Sequence, residues 1–272
     1  MSEATIHSLY SGEIELKFTA GNHQYRVREK GTEKWNHVES VTTIQGMLSK
    51  PALVRWAARM CGEFILREKL DLLECIVGGE IAISRLEEFS ARMVNEYATV
   101  RDEAGDIGKI VHDYAEAWGK WAMDSTNHRP GRPTDPQARQ GVEAFHEFLS
   151  EHHVKFLELE RKVYSRKHHY TGTCDLVADI DGTRTLGDYK TGKGYYADTG
   201  IQLAAYKYAW EEENGQTLDS AVGLHFDKET GVFTPHWHTG HADFDAFHSC
   251  HALYKWDRAN KAEYAKRKRA AS

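Results

Sequence analysis

TGTCDLVADIDGTRTLGDYKTGK, from Thr171 to Lys193, is the stretch of sequence that decides the fold. Two runs rich in β-prone residues flank the dipeptide Asp181-Gly182. A dipeptide of this kind between two such runs is typical of a two-residue hairpin turn in which both residues have positive φ. We therefore predict an antiparallel β-hairpin with its turn at these two residues.

The turn fixes which residues of the two strands face each other. The predicted pairs are an ion pair, an apolar pair and a pair of carboxylates: Asp179 with Arg184, Val177 with Leu186, and Asp175 with Asp188. Like charges directly opposite destabilise a sheet, and a bound divalent cation removes that penalty. Lys190 shares a strand face with Asp188. The hairpin therefore predicts a cation site beside a lysine, the alternative being an ordinary solvated hairpin face.

Two helical segments carry further candidates. In Ala104–Trp118, His112 lies off the apolar stripe, on the flank shared with Gly105 and Gly108. Glycines weaken a helix, so we expect another backbone or a ligand to approach closely there; a helix–helix contact is the alternative. In the second segment, Gln202 and Tyr206 are four residues apart and share one helix face shortly after Lys190.

Four motifs occur in order: G-x-x-x-H (Gly108–His112), G-T-x-D (Gly172–Asp175), D-Y-K-T-G-K (Asp188–Lys193) and Q-x-x-x-Y (Gln202–Tyr206). Their order and spacing resemble the PD-(D/E)XK nuclease superfamily, and within it the RecB-like exonuclease branch with its phage and mitochondrial genome-maintenance members. The resemblance implies an α+β fold, with a restriction-endonuclease-like core in which helices flank a mixed central sheet.

The resemblance also implies a role for each matching residue. Asp175, Asp188, the Tyr189 carbonyl and His112 would hold Mg²⁺ or Mn²⁺. Lys190 would orient the attacking water, helped by Glu160, Gln202 and Tyr206. The implied activity is a metal-dependent DNA exonuclease. A structure-specific or sequence-specific endonuclease and a non-catalytic DNA-binding protein are the alternatives.

The chain departs from the family pattern in two places. Cys174 replaces the proline of the motif's name, and the third-motif acid is Asp188 rather than glutamate. Neither change removes a ligand. The four cysteines, at positions 61, 75, 174 and 250, do not fit the iron–sulfur cluster of some relatives, so we expect none.

We expect one domain, because no linker divides the chain. Residues 1–100 would form an N-terminal hairpin with a helical elaboration, 101–240 the nuclease core, and 241–272 a basic C-terminal helix. Within these ranges we predict separate helical stretches at Ser84–Val100 and Arg101–Trp121.

The formal net charge of −6 argues against nucleic acid only if it is evenly spread. Lys155–Tyr170 holds five basic and two acidic residues, and Lys261–Ser272 holds five and one. We therefore expect a basic DNA-binding face that includes Arg166, Lys167, Lys193, Lys266 and Arg267. DNA ends are the expected substrate, and a homo-oligomer or a recombination partner protein is a possible addition.

Two further features stay open. Five histidines lie close together in the chain, His236, His238, His241, His248 and His251, and could hold a separate zinc or iron ion together with Cys250. The alternative is a histidine-rich edge of the sheet and start of the C-terminal helix. The tyrosines Tyr195 and Tyr196, just after the D-Y-K strand, could stack on bases, although core packing is the commoner use of an aromatic residue.

Composition limits the class of protein. A mean hydropathy of −0.63 and the lack of a long apolar run predict no membrane span. The N-terminus resembles no secretory signal, so we expect a cytoplasmic protein, in the host cytoplasm if a phage encodes it.

Overall fold

The computed structural model describes residues 4–270 as two compact units. The first unit comprises residues 4–48 and 110–270, and the second comprises Ser49–Lys109. The strands in chain order are β1 Ala4–Leu9, β2 Ile14–Thr19, β3 Gln24–Glu29, β4 Asn36–Ser40, β5 Ile76–Val77, β6 Glu80–Ile81, β7 Val154–Ser165, β8 Tyr170–Ile180, β9 Thr183–Lys190, β10 Ser220–Phe226 and β11 Phe233–His238.

Seven α-helices complete the described chain. They are α1 Val41–Gln45, α2 Pro51–Arg67, α3 Lys69–Leu73, α4 Ile83–Met123, α5 Pro136–Glu151, α6 Asp198–Asn214 and α7 Ala242–Ala270. Between residues 4 and 270, none of the helices combines the length and the apolar character that crossing a membrane would require.

A nine-stranded mixed sheet forms the centre of the first unit, in the order β1-β2-β3-β4-β8-β9-β10-β11 with β7 also paired to β8. The predicted N-terminal hairpin is present as β2 and β3, which Ala20–Asn22 joins. It belongs to this sheet because β4 runs parallel to β8, with Glu39 opposite Tyr170. The mixed sheet flanked by helices confirms the predicted fold class.

The hairpin of β8 and β9 has the predicted turn, and the predicted register holds for Asp179 with Arg184 and Val177 with Leu186. The predicted pair of Asp175 with Asp188 is not part of the ladder, because the Asp175 carboxylate accepts from the Tyr189 N–H instead. Asp181 and Gly182 have φ values of 51° and 84°. The ladder runs from Ile180 opposite Thr183 to Leu176 opposite Gly187. The predicted ion pair also forms, with Arg184 Nε 3.0 Å from Asp179 Oδ1.

The two faces of the sheet are covered by different helices. Leu186 of β9 packs in a buried cluster with Leu203, Tyr206 and other residues of α6. Tyr189, three residues further along β9, faces the opposite side, where its ring contacts Phe145 of α5 at a centroid distance of 6.2 Å. The sheet is therefore the middle layer of a helix–sheet–helix core.

The second unit, Ser49–Lys109, has a small core of its own. Phe64 of α2, Cys75 and Phe89 of α4 are buried together. Arg67 and Glu96 form an ion pair at 2.8 Å between α2 and α4.

The structure corrects the prediction of two helical stretches, Ser84–Val100 and Arg101–Trp121. They form one continuous helix, α4, of 41 residues. No proline or capping residue interrupts the chain at Val100-Arg101, so the helix continues through the boundary placed there.

His251 of α7 gives a prediction for stability against pH. Burial lowers its pKa to about 4, helped by four cationic or ionisable neighbours, Lys255, His168, His248 and His169. The unfolded chain therefore takes up the proton first as the pH falls below about 6.5. The free energy of unfolding should fall by up to about 3 kcal/mol between pH 6.5 and pH 4, because about 2.5 pKa units separate the two states.

The measurement is urea unfolding at several pH values for the parent and for His251→Leu. The variant should lose less stability over this range, since it removes the group that resists protonation. The matched control is His128→Leu at an exposed position, which should follow the parent. A slope in His251→Leu equal to the parent's would contradict the prediction.

Candidate active site

The candidate site begins where β8 and β9 separate. The ladder between them ends at Leu176 and Gly187, one step before the two aspartates. The carboxylate of Asp175 accepts a hydrogen bond of 2.5 Å from the backbone N–H of Tyr189. At this level β9 remains paired with β10 on its other side, where Asp188 lies opposite Gly223. The backbone pairing of β8 with β9 therefore stops at the two carboxylates, and the Asp175 side chain bonds to the β9 backbone instead.

Asp175 lies at an irregularity of its strand. Cys174 and Val177 are three residues apart, yet both pack in the same buried cluster against α6. Regular alternation would place them on opposite faces. The alternation of β8 therefore reverses at the step that holds Asp175.

In the neighbouring strand β7, the alternation of side chains between the two faces of the sheet reverses at the same level. Leu159 lies against Gly119 of α4, whereas Val163, four residues later, packs in the cluster with α6. Between them, Glu160 has a φ of 47°, which lies in the left-handed region. Leu159 pairs with Leu176 and Arg161 with Cys174, so Glu160 and Asp175 occupy the same step of the two strands.

His112 of α4 reaches this step from one face of the sheet. Its Nδ1 is 3.5 Å from Asp175 Oδ2. Burial opposes the charged form of His112, but the carboxylates of Asp175 and Asp188 outweigh it and raise the pKa of the imidazole. The histidine found by its motif therefore lies against the predicted carboxylate.

Lys190 reaches the site from the other face. Its ammonium donates to the carboxylate of Asp188 and to Gln202 Oε1, the latter at 3.0 Å. Gln202 in turn donates to the hydroxyl of Tyr206 at 3.0 Å. The Q-x-x-x-Y motif thus forms a chain of hydrogen bonds that ends on the lysine.

The two carboxylates have opposite pKa shifts. Burial raises the pKa of Asp188, of which only 4% is exposed, and the charge of Asp175 adds to this while Lys190 opposes it. For Asp175, burial is outweighed by His112, the Tyr189 N–H and Lys190, so its pKa is lowered. Two acids that share one site favour a state in which one of them holds the proton or a cation.

The donor types at the site suit a hard divalent cation. Asp175 and Asp188 supply carboxylate oxygens and His112 supplies one imidazole nitrogen, while Lys190 lies against Asp188. Over residues 4–270, no three His, Cys, Asp or Glu side chains already stand in a metal-binding arrangement. The residues therefore fit such a cation by the chemistry of their donor atoms.

Glu160 and the Tyr189 carbonyl are the remaining predicted residues of the site. Burial and the charge of Asp175 raise the pKa of Glu160, which places it beside the site. The Tyr189 carbonyl stays a predicted ligand. Cys174, at the proline position, is fully buried in the apolar cluster and its thiol faces the Arg161 carbonyl at 3.6 Å.

The basic residues predicted for DNA binding do not form one group around the site. Arg166 directly follows the end of β7, six residues and roughly 20 Å beyond Glu160, and pairs with Glu13 at 2.8 Å. The others lie in the turn after β7, in the loop after β9 and at the end of α7: Lys167, Lys193 (2.7 Å from Glu229), Lys266 and Arg267, which pairs with Glu263. Their role in binding DNA stays a prediction.

Some neighbours of the site were not found from the sequence. Glu116 lies one turn after His112 on α4, and its charge contributes to the raised pKa of Glu160; the spacing of four residues could have indicated it. Gly223, the partner of Asp188 in the parallel ladder, had no local signal, because the two residues are far apart in the chain.

The five histidines from His236 to His251 do not come together as a separate metal site. His236 stacks on Tyr195 with ring centroids 3.7 Å apart. His251 is buried against Phe247 and Tyr170.

The structure gives no support to a close backbone approach at Gly105, where an added Cβ would meet no atom within 4 Å.

Comparison with known proteins identifies the family of the chain. No curated protein matches the chain significantly. A family model described as the PD-(D/E)XK nuclease superfamily matches residues 82–236, more than half of the chain, and this range contains His112, Asp175, Asp188, Lys190 and Gln202. Nucleases of this superfamily generally use divalent metal ions such as Mg²⁺. The chain therefore belongs to the PD-(D/E)XK nuclease superfamily.

Proposed function

We propose that this protein is a metal-dependent DNA exonuclease of the RecB-like branch, which hydrolyses phosphodiester bonds at DNA ends. The observation that carries the proposal is the meeting of Asp175, Asp188, His112 and Lys190 where the ladder between β8 and β9 ends. The order of the four motifs supports the exonuclease branch in particular.

Different residues of the chain would bind the cation and orient the attacking water. Asp175, Asp188 and His112 would hold the cation, with the Tyr189 carbonyl as a further ligand. When bound, the cation makes water a usable nucleophile at neutral pH and stabilises charge on the phosphate. Mg²⁺ or Mn²⁺ is the expected ion, because carboxylate oxygens are hard ligands.

Lys190 would orient the attacking water and stabilise negative charge on the phosphate. Its ammonium is fixed for this purpose by Gln202, which Tyr206 fixes in turn. A donor that is already aimed at the developing charge needs no reorganisation during the reaction. Glu160 lies at the same step as Asp175 and would help from the neighbouring strand.

Two DNA substrates of one sequence test the exonuclease proposal. We expect the protein, with Mg²⁺ or Mn²⁺, to release nucleotides from end-labelled linear DNA and to leave a covalently closed circle intact. Single-stranded and double-stranded forms, labelled at either end, report polarity and strand preference, and excess chelator is the negative control.

Each outcome has one meaning. Cleavage of the closed circle at a rate similar to that of the linear form would indicate an endonuclease instead. Binding to linear DNA without any metal-dependent cleavage would indicate a non-catalytic DNA-binding protein.

A further inference from the structure

Tyr195, in the loop that joins β9 to α6, lies flat on the central sheet beside the candidate site. Its ring stacks on His236 with a centroid distance of 3.7 Å and an interplanar angle of 9°. A Cβ added to Gly223 would lie 2.4 Å from Tyr195 Cε2. Gly223 pairs with His236 on one side and with Asp188 on the other. The ring therefore rests one strand away from a candidate metal ligand.

The hydroxyl of Tyr195 is held by a chain of polar side chains. It lies 2.6 Å from His238 Nε2, and His238 Nδ1 lies 3.1 Å from Asp243 Oδ2. The same loop is fixed a second time, because His225 Nε2 lies 2.7 Å from the Gly192 carbonyl oxygen. The ring orientation is thus set before any substrate binds.

The surroundings of Tyr195 differ from those of a core aromatic residue. Its side chain is only half-buried. Burial, with the charges of Asp188, Asp243 and Asp198, raises the pKa of Tyr195 to about 12, so its hydroxyl stays neutral. A fixed, partly exposed aromatic face next to a phosphodiester-cleaving centre matches the platforms on which nucleic-acid bases stack.

We propose that Tyr195 is a substrate-positioning residue whose outer face stacks on the base of the nucleotide next to the scissile phosphate. The inference rests on the proposed nuclease function and adds to it a contact with unpaired bases. His236 supports the ring from below, and the pair of His238 and Asp243 fixes its orientation.

The test compares intact single-stranded oligonucleotides with versions that carry one abasic nucleotide at each of the first three positions from either end. Steady-state cleavage is measured for the parent, Tyr195→Leu, Tyr195→Phe and the control Tyr264→Leu, whose tyrosine is 73% exposed on α7. Stacking is worth about 1–3 kcal/mol per base, so Tyr195→Leu should raise KM for the intact strand by roughly fivefold to a hundredfold. Its kcat should stay within about twofold of the parent value.

The abasic substrate gives the result that a purely structural role would not give. At the contacted position, the parent and Tyr195→Leu should have the same KM, because no base is left to stack. Tyr195→Phe keeps the ring but loses the hydroxyl held by His238, so its KM should lie between those of the parent and Tyr195→Leu. Tyr264→Leu should follow the parent. An equal loss of activity by Tyr195→Leu on intact and abasic strands, or no change in KM, would overturn the inference.

A binding measurement distinguishes a failure of this inference from a failure of the proposed function. Dissociation constants for the same oligonucleotides are measured by fluorescence anisotropy in an Asp188→Asn background, where no cleavage is expected. A selective loss of affinity for intact strands in Tyr195→Leu supports stacking even without turnover, and equal affinities count against it. A parent protein that binds DNA but never cleaves it would refute the proposed nuclease activity alone.

Discussion

Replacing Asp188 with asparagine is expected to lower metal-dependent DNA cleavage by at least about a thousandfold, at the upper end of the loss seen when one preorganised electrostatic group is removed. The asparagine keeps the shape of the side chain but removes the charge that faces Asp175 and Lys190. The fold should persist, because the substitution also removes one of two like charges that are buried side by side. Loss of activity without unfolding would therefore report on chemistry alone.

The measurement is nucleotide release from end-labelled linear DNA, with the melting temperature followed in parallel. Asp179→Asn is the matched control, since Asp179 lies on the other strand of the same hairpin and pairs with Arg184 instead. It should keep activity within a few-fold of the parent. Cleavage by Asp188→Asn at the parent's rate would mean that the site has been assigned wrongly.

Replacing Gly172 with alanine is expected to destabilise the protein by about 1–3 kcal/mol, the usual cost of overpacking a core. The added Cβ would lie 2.4 Å from Cε1 of Tyr206, and only 3% of Tyr206 is exposed. Because Tyr206 fixes Gln202 and hence Lys190, the change should also reduce kcat. The glycine of the G-T-x-D motif is thus required by the tyrosine of the Q-x-x-x-Y motif.

A double-mutant cycle measures this coupling through the free energy of unfolding in urea. In a Tyr206→Leu background, Gly172→Ala should cost much less than in the parent. Gly105→Ala is the control, because its Cβ meets no atom within 4 Å and a helix favours alanine over glycine. Equal costs of Gly172→Ala in both backgrounds would show that the two residues do not compete for space.

The features that could be predicted from the sequence are the local ones. The turn at Asp181-Gly182 sets the register of the hairpin by itself, so the pairing of Asp179 with Arg184 followed directly. The spacing of Gln202 and Tyr206 on one helix face was equally local. In each case the residues that decide the geometry are close together in the chain.

Features that depend on distant partners were not predictable in this way. The parallel pairing of β4 with β8 joins residues about 130 positions apart, and no local pattern shows which strands meet. The histidines after the core looked like metal ligands, but His236 and His238 are used to hold Tyr195. Their partners became apparent only once β10 and β11 were placed.

At the irregular step of Glu160 and Asp175, the contacts that hold the sheet together are separate from the side chains that would take part in the reaction. The ladder between β8 and β9 stops before Asp175, so its carboxylate can exchange one partner for another without disturbing that ladder. On either side of this step, the strands keep their own apolar contacts with α4 or α6. A substitution at Asp175 should therefore change the chemistry of the site more than the stability of the sheet around it.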